Sequence, residues 1–324
     1  MKKIVTQERT LHIKSREAEG RIAGLISLSI ETKFPIELHI EVTNHCNKKC
    51  YMCPTRDRYK KPIFPLGLGY MDFKLYKQII DECNEYHGKD MTLNLHKDGE
   101  PLMHSQIGEM IKYAKDYGML VHFATNGLLM NKKRTELVDN GLDLLTVSVI
   151  DETAMNAIAD FMKYKGKDKK PFVQVKLFSS KRLVDKNRTG RITLAGNPNV
   201  LFSPATSPIH RWKKVGADSI YTFIGWHNWT DEEERFDREP CTKILYSMAV
   251  TWEGLLNPCC LDYRRDMLLG EFPKDTIKSG WDKLQKVLEN QKQGNWIKPC
   301  TTCNYSQRMD EDETKIKWAC SNGN

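Results

Sequence analysis

Apolar residues follow two different spacings along the middle of the chain. In residues 36–42 they alternate with polar residues, as in a strand with one buried face, whereas in residues 73–86 they recur every three or four positions, as in a helix. The two patterns then take turns downstream. Strands are predicted at 36–42, 91–95, 120–124, 144–149, 172–178 and 219–224, and helices at 73–86, 105–117, 134–140 and 153–164.

This alternation predicts an α/β fold in which helices wrap a parallel sheet and ligands bind at the carboxyl ends of the strands. Six such strands form an open, partial (β/α)6 barrel. Local signals mark some of the ends, with Asp72 as a helix N-cap and Gly118 and Gly141 as helix stops. A hairpin is predicted over residues 250–256, turning at Gly254.

The length and composition suit either one large domain or a domain with a smaller appendage. The chain has 324 residues with 40% hydrophobic content, and an acid-rich stretch at 231–239 resembles an exposed boundary. We therefore predict an N-terminal extension at 1–35, the barrel at 36–230 and a cysteine-rich domain at 231–324.

Several partners are disfavoured by the sequence. No apolar run reaches the ~18 residues of a membrane span, and the lysine-bearing start is not followed by an apolar signal core, so we expect a cytoplasmic protein without a membrane partner. The formal charge of +8 is spread among acidic residues. A solvated face is thus favoured over a nucleic-acid surface, although an anionic substrate would also fit.

Three cysteines carry the most specific chemistry. Cys46, Cys50 and Cys53 follow the first predicted strand with the spacing CxxxCxxC. A four-iron cluster kept for structure or electron storage normally takes four cysteines, so a triplet leaves one iron open to a reactant. A zinc site or structural thiols remain the alternatives.

This spacing resembles that of the radical S-adenosylmethionine (radical SAM) superfamily. The resemblance implies that the three cysteines hold a 4Fe-4S cluster whose fourth iron is chelated by the amino and carboxylate groups of S-adenosyl-L-methionine (SAM). In that family the residue before the last cysteine is usually aromatic, whereas here it is Met52, and the residue before Gly99 is usually glycine, whereas here it is Asp98. The implied SAM contacts are Met52 near the adenine, Gly99 and Glu100 at the methionyl amino group, Thr125 and Asn126 along the cleft, and Ser148 and Asp151 at the ribose.

A second set of cysteines lies in the last third of the chain. Cys241, Cys259, Cys300 and Cys303, with Gly254 before the second, resemble the twitch appendage of radical SAM enzymes, a shorter relative of the SPASM domain. The resemblance implies one auxiliary 4Fe-4S cluster that four cysteines close completely. A four-cysteine zinc site is the competing interpretation.

Cys260, next to Cys259, is a candidate for catalysis. Neighbouring side chains of an extended hairpin point to opposite faces, so both thiols are not expected on one iron. A free thiol near two clusters could return a hydrogen atom to a substrate radical, as an epimerase requires. The alternative is an ordinary buried cysteine.

The resemblance implies an enzyme that reductively cleaves SAM to a 5'-deoxyadenosyl radical, with the electron supplied by a donor such as flavodoxin or ferredoxin. Our first expectation is a small-molecule substrate, a sugar or cyclitol alcohol, that is oxidised or epimerised. A peptide-modifying maturase is an alternative, although about 35 residues before the first strand are few for a leader-binding domain. A non-catalytic iron-sulfur protein for electron transfer or sensing is an alternative of another class.

Overall fold

The central element is a nine-stranded sheet. The computed structural model describes residues 33–50, 53–55, 57–61, 63–149, 154–166, 169–179, 192–193, 201–202, 219–224, 240–241 and 243–303. The strands are β1 (Glu37–Ile40), β2 (Thr92–Asn94), β3 (Leu120–Thr125), β4 (Leu144–Val149), β5 (Phe172–Ser179), β6 (Ile192–Thr193), β7 (Leu201–Phe202), β8 (Ser219–Ile224), β9 (Ser247–Val250), β10 (Leu255–Asn257) and β11 (Gly270–Glu271). The sheet order is β11-β10-β9-β1-β2-β3-β4-β5-β8, and β6 pairs only with β7.

Five α-helices accompany these strands in the described part of the chain. They are α1 (Phe73–Tyr86), α2 (Ile107–Asp116), α3 (Arg134–Asp139), α4 (Ala154–Lys165) and α5 (Ile277–Lys292). Short 3-10 helices lie at Gly88–Asp90, Pro101–Met103, Lys243–Leu245 and Cys300–Thr302. None of the described helices is both long and apolar enough to cross a membrane.

The six predicted strands pair in parallel, as expected for a partial barrel. Pairing runs without interruption from β1 through β2, β3, β4 and β5 to β8. The α/β prediction is therefore confirmed. A seventh parallel strand was not predicted as part of this sheet: β9, one arm of the predicted hairpin, pairs with β1 from Glu37↔Ser247 to Ile40↔Val250.

The C-terminal segment is joined to β1 by a buried ion pair as well as by β9. Glu41, which follows β1, lies 2.9 Å from the guanidinium of Arg265, and their side chains are 0% and 1% exposed. Lys97 also donates to the carbonyl of Asp262 at 3.0 Å. The boundary at residues 230 and 231 stays a prediction, but the sheet itself is continuous across it.

Period-two alternation gives the sheet one apolar and one polar face. Leu38, Leu93, Val121, Leu145 and Val173 are fully buried, and they share one hydrophobic core with helix side chains. The residues between them point to the opposite face and are largely polar: His39, Asn94, His122, Thr146 and Gln174. The core therefore lies between sheet and helices, while the other face is lined by polar side chains.

Capping explains which helix predictions were accurate. Helix α1 begins as predicted because the Asp72 carboxylate accepts from the amides of Lys74 and Leu75, at 2.8 and 3.2 Å, and it also ends at the predicted residue, Tyr86. Helix α2 is shorter than the predicted 105–117. The ring of His104 accepts from the amide of Gln106 at 3.1 Å, which holds that residue outside the helix.

Helix α5 was missed, although its sequence carries a signal. Thr276 caps its first turn by accepting from Ser279 N, and Trp281 is fully buried on its apolar face. The first turn of α5 is also capped by a residue that is distant in sequence. The Glu82 carboxylate of α1 accepts from the amides of Ile277 and Lys278, at 3.0 and 2.9 Å, and so orients α5 against the barrel.

The predicted hairpin turn at Gly254 is present and tight. Gly254 has φ +95°, and its amide donates to the Thr251 carbonyl at 2.9 Å. A Cβ at this position would stand 2.4 Å from the Phe272 carbonyl oxygen, so both the backbone angle and the space require glycine.

We predict that Gly254→Ala lowers the free energy of unfolding by roughly 2–5 kcal/mol, the sum of left-handed backbone strain and overpacking. Gly294→Ala is the matched control, because Gly294 has φ +80° but nothing within 4 Å of its Cβ position. The control should cost about 1 kcal/mol. Anaerobic urea unfolding measures both, and equal losses would contradict the packing argument.

Candidate functional site

The loop after β1 carries the first three cysteines. Cys46, Cys50 and Cys53 are half-buried free thiols, and the Cys53 amide donates to the Cys50 carbonyl at 3.0 Å. The hydroxyl of Tyr59 accepts from the Cys46 amide at 3.0 Å and lies 3.1 Å from the Cys46 carbonyl. Asn44 fixes the start of the loop through the backbone of Gly67 and Gly69. The sequence thus delivers three thiols at a strand end, as predicted.

Gly99 lies against this loop. A Cβ on Gly99 would stand 2.2 Å from the Thr43 carbonyl oxygen and 2.7 Å from that of His45, so only glycine fits. The neighbouring amide of Glu100 donates to the His45 carbonyl at 2.8 Å. Close backbone approach therefore brings the segment after β2 next to the cysteine loop.

Glu100 connects the ends of β2 and β3. Its carboxylate is 2% exposed and accepts from the Thr125 hydroxyl at 2.6 Å, the Asn126 amide at 2.7 Å and the Leu102 amide at 3.1 Å. Burial raises the pKa of this carboxyl above its usual value, although these donors counteract the effect. A carboxylate has about four acceptor sites, so capacity remains for a ligand amino group.

Asn126 extends this arrangement to the cysteine loop. Its side-chain amide donates to the Asn47 side chain at 2.7 Å, one residue after Cys46. The structure therefore brings together four of the predicted SAM contacts, namely Gly99, Glu100, Thr125 and Asn126.

Three further residues were predicted to contact SAM. Ser148, near the end of β4, is half-buried on the polar face and pairs in register with Lys176. Met52 and Asp151 lie outside the described residues.

A hydrogen-bonded row crosses the polar face of the sheet. The His122 ring lies 2.5 Å from the Asn94 side-chain oxygen and 3.0 Å from the Thr146 hydroxyl, which is 3.3 Å from the Gln174 side-chain oxygen. Burial lowers the pKa of His122 to about 4, so this ring is neutral at pH 7. His96 packs edge-on against it at 5.4 Å. Asn94 and Thr146 are buried, whereas His122 and Gln174 are half-buried.

Cys260 lies beside this face, near the side chain of His39 on β1, and the two groups interact electrostatically. His39 Nε2 is 2.7 Å from Glu37, and Glu37 is 2.7 Å from Lys243. Burial lowers the pKa of His39 and raises that of Cys260, so it disfavours the charged form of both. The neighbouring groups outweigh this effect. Cys260 and Glu37 raise the pKa of His39 to about 9, and His39 and Lys243 lower the pKa of Cys260 to about 7. The contact therefore favours a charged imidazole beside a readily ionised thiol.

The structure corrects the argument that was used for Cys260. Strand β10 ends at Asn257, so Cys259 and Cys260 lie in the turn that follows and not in the extended hairpin. Both are half-buried free thiols.

The second group of cysteines gathers around Cys259. Cys241, Cys259, Cys300 and Cys303 are half-buried free thiols, and the Cys303 amide donates to the Cys300 carbonyl at 3.3 Å. Burial raises the pKa of Cys259 well above its usual value, and the nearby thiols of Cys260, Cys241 and Cys300 raise it further. Thiolates this close together need a compensating positive charge.

These donor sets suit iron-sulfur chemistry. All nine cysteines that the structure describes are free thiols, and those of both groups are half-buried. Among the described residues, no three or more His, Cys, Asp or Glu side chains converge as ligands of a single metal ion would.

Sequence reasoning missed four residues of this region. Arg58, Tyr59, His39 and Glu37 all contact the cysteines or their partners through tertiary packing. Glu37 and His39 belong to the alternating pattern of the first predicted strand, but the sequence does not show that His39 lies beside Cys260.

Two family models match the chain. Residues 40–175 match the radical SAM superfamily, and residues 241–304 match SPASM, an iron-sulfur cluster-binding domain. These matches confirm the resemblance predicted from the cysteine spacings.

Curated relatives match part of the chain. A tungsten-containing aldehyde ferredoxin oxidoreductase cofactor-modifying protein of Pyrococcus furiosus is 30% identical over 123 residues, 37% of this chain and 33% of the relative. The antilisterial bacteriocin subtilosin biosynthesis protein AlbA of Bacillus subtilis is 26% identical over 157 residues, 48% of this chain and 33% of the relative. The match thus spans about a third of the length of either relative.

Solved structures share the fold over most of the chain. BtrN in complex with AdoMet and 2-DOIA has a TM-score of 0.51 at 18% identity, covering 85% of this chain and 94% of that one. Streptococcus suis SuiB bound to precursor peptide SuiA has a TM-score of 0.51 at 15% identity, covering 89% and 73%. The anSMEcpe structure with bound AdoMet has 0.53 at 13%, covering 83% and 89%. Residues 40–175 are thus a radical SAM domain and residues 241–304 an iron-sulfur domain of the SPASM type, and these two domains imply a 4Fe-4S cluster, SAM and an auxiliary iron-sulfur cluster.

Proposed function

We propose that the protein abstracts a hydrogen atom from a hydroxyl-bearing carbon of a polar small molecule bound over the inner face of the sheet. The observation that carries this proposal is the hydrogen-bonded row formed by Asn94, His122, Thr146 and Gln174, in which His122 and Gln174 are half-buried. Amide, imidazole and hydroxyl groups donate and accept hydrogen bonds without net charge. They suit a sugar or cyclitol alcohol better than an apolar substrate.

In this proposal Cys46, Cys50 and Cys53 hold the first cluster. A cluster held there would supply one electron to SAM, and the cleavage of SAM would give methionine and the 5'-deoxyadenosyl radical. Glu100 offers its remaining acceptor capacity to the methionyl amino group, and Thr125 and Asn126 hold the carboxylate in place. A reductant of the flavodoxin or ferredoxin class would supply the electron.

Dehydrogenation is the first outcome that we propose for the substrate radical. The radical loses one further electron and the hydroxyl proton, so the alcohol becomes a carbonyl compound. Cys241, Cys259, Cys300 and Cys303 would close an auxiliary cluster completely, which leaves it suited to accept that electron and unsuited to bind substrate.

Epimerisation is the second outcome, and the position of Cys260 favours it. The thiol lies at the inner face beside His39, where it could give a hydrogen atom to the substrate radical. The sulfur radical left behind would need one electron and one proton from the reductant and solvent. His39 would hold the thiol in place and serve as the nearest proton carrier.

Two further alternatives have distinct consequences. A peptide maturase draws support from similarity to AlbA and from the fold shared with SuiB bound to SuiA. It predicts that a peptide, and no free alcohol, triggers SAM cleavage. A non-catalytic iron-sulfur protein predicts that SAM is not cleaved with any substrate.

The reductive assay in D2O separates these outcomes. We expect an alcohol from a panel of sugars and cyclitols to increase formation of 5'-deoxyadenosine. A product lighter by two hydrogens indicates dehydrogenation, whereas an isomer with one carbon-bound deuterium indicates epimerisation. For an epimerase, Cys260→Ala should still form 5'-deoxyadenosine but no epimer, while Cys83→Ala, in the buried core, should behave as wild type. Stimulation by peptides alone would contradict the alcohol proposal.

Iron analysis tests the two clusters. Two four-iron clusters predict about eight irons per chain after anaerobic reconstitution, falling to about four when Cys46, Cys50 and Cys53 are all changed to Ala. Cys83→Ala should keep about eight. Four irons falling to none would show that the C-terminal cysteines hold no iron cluster.

We also predict that Glu100→Gln weakens SAM binding about tenfold to a hundredfold. The substitution removes the charge and one acceptor oxygen from a buried group with three donors, which is worth ~1.5–3 kcal/mol. The dissociation constant is measured by equilibrium dialysis, with iron content as a check. The exposed Glu109→Gln is the control. Unchanged SAM affinity in Glu100→Gln would remove Glu100 from the site.

A further inference from the structure

Arg58 is a buried cation whose contacts all lie around the first cysteine loop. The residue is 5% exposed and follows Cys53 by five positions. Within the stretches that the structure describes, no carboxylate lies at ion-pair distance from its guanidinium group. A buried cation needs compensating negative charge or hydrogen bonds, so its surroundings indicate what it serves.

One edge of the guanidinium faces the sulfur of Cys53. Nη2 lies 3.5 Å from Cys53 Sγ and also donates to the Thr55 hydroxyl. That hydroxyl is itself 3.2 Å from the same sulfur. Cys53 therefore has two polar neighbours, and one of them is permanently charged.

The other donors hold the backbone around the loop. Nη1 donates to the Asn44 carbonyl at 2.7 Å and to the Asp98 carbonyl, and Nε donates to the Thr55 carbonyl at 2.8 Å. Asn44 precedes the cysteine loop, and Asp98 precedes Gly99. Arg58 thus joins the cysteine loop to the segment that carries Glu100.

We propose that Arg58 raises the reduction potential of the first cluster through its charge-assisted contact with Cys53. This inference rests on Cys53 being a ligand of that cluster, as in the proposed function. Reduction adds one negative charge to the cluster, and a fixed cation in a buried setting stabilises the more negative state. Hydrogen bonds to cluster sulfurs are among the groups that set such potentials.

The contact has a consequence for the reaction. SAM is cleaved only after the cluster has accepted an electron, and a higher potential lets a weaker reductant supply it. Arg58 would therefore position the loop and would also determine which reductants are strong enough to reduce the first cluster. A purely structural brace would position the loop but leave the potential unchanged.

The test is a redox titration of the reconstituted full chain, followed by electron paramagnetic resonance. The first cluster is identified by the signal that changes when SAM is added, since an auxiliary cluster with four cysteines has no open iron. For Arg58→Gln we expect the reduction equilibrium to fall about tenfold, which is about 59 mV for a one-electron couple. Arg58→Lys keeps the charge and should retain part of the effect.

Arg134→Gln is the matched control, because Arg134 is exposed at the start of α3 and stacks on Tyr164 at 4.6 Å. Its potential should equal that of the wild type. Normal iron content with an unchanged potential in Arg58→Gln would overturn the proposal and leave Arg58 as a brace.

A second variant covers the case in which Arg58→Gln does not take up iron. Thr55→Val removes the hydroxyl that contacts both Cys53 and Arg58, and it should lower the potential by a smaller amount. Unchanged potentials in both Thr55→Val and Arg58→Lys would then overturn the inference. Failure of the proposed function itself is recognised separately, by iron content that does not fall in the triple cysteine variant.

Discussion

The buried carboxylate of Glu100 is the interaction on which the rest of the site depends. A carboxylate without water must accept hydrogen bonds, and here it accepts them from the ends of β2 and β3. Its own backbone is bonded to the cysteine loop through the His45 carbonyl. Glu100 therefore fixes the relative positions of the segments that follow β1, β2 and β3. Gly99 makes this possible, because any side chain there would collide with the backbone of Thr43.

The polar face of the sheet follows from the same alternation that builds the core. Each strand contributes apolar residues to the helices and polar residues to the inner face, so stability and chemistry are assigned to alternate positions. This arrangement buries polar side chains, which must then form hydrogen bonds with one another. The row from Asn94 to Gln174 and the contact between His39 and Cys260 are two such solutions. Both leave groups that a polar ligand could engage.

Local signals in the sequence predicted the fold well, and tertiary contacts account for what it did not show. Asp72 and a helical period fix α1 within its own segment. The spacing of the cysteines predicted both iron-sulfur groups. Arg58 carried no such signal, because its partner Asp98 is 40 residues away, and the pair of Glu41 and Arg265 is separated by 224. The parallel pairing of β9 with β1 could not be predicted either, because the residue pattern of a short apolar strand does not indicate which strand it pairs with.

That pairing determines how far apart the two iron-sulfur sites lie. The first cysteine loop leaves the carboxyl end of β1, and the turn with Cys259 follows β10, which pairs with β9 beside it. The separation is therefore a property of hydrogen-bond register and not of the linker between barrel and C-terminal segment. An insertion in that linker would leave the pairing of β9 with β1 unchanged, and with it the placement of the two cysteine groups along the sheet.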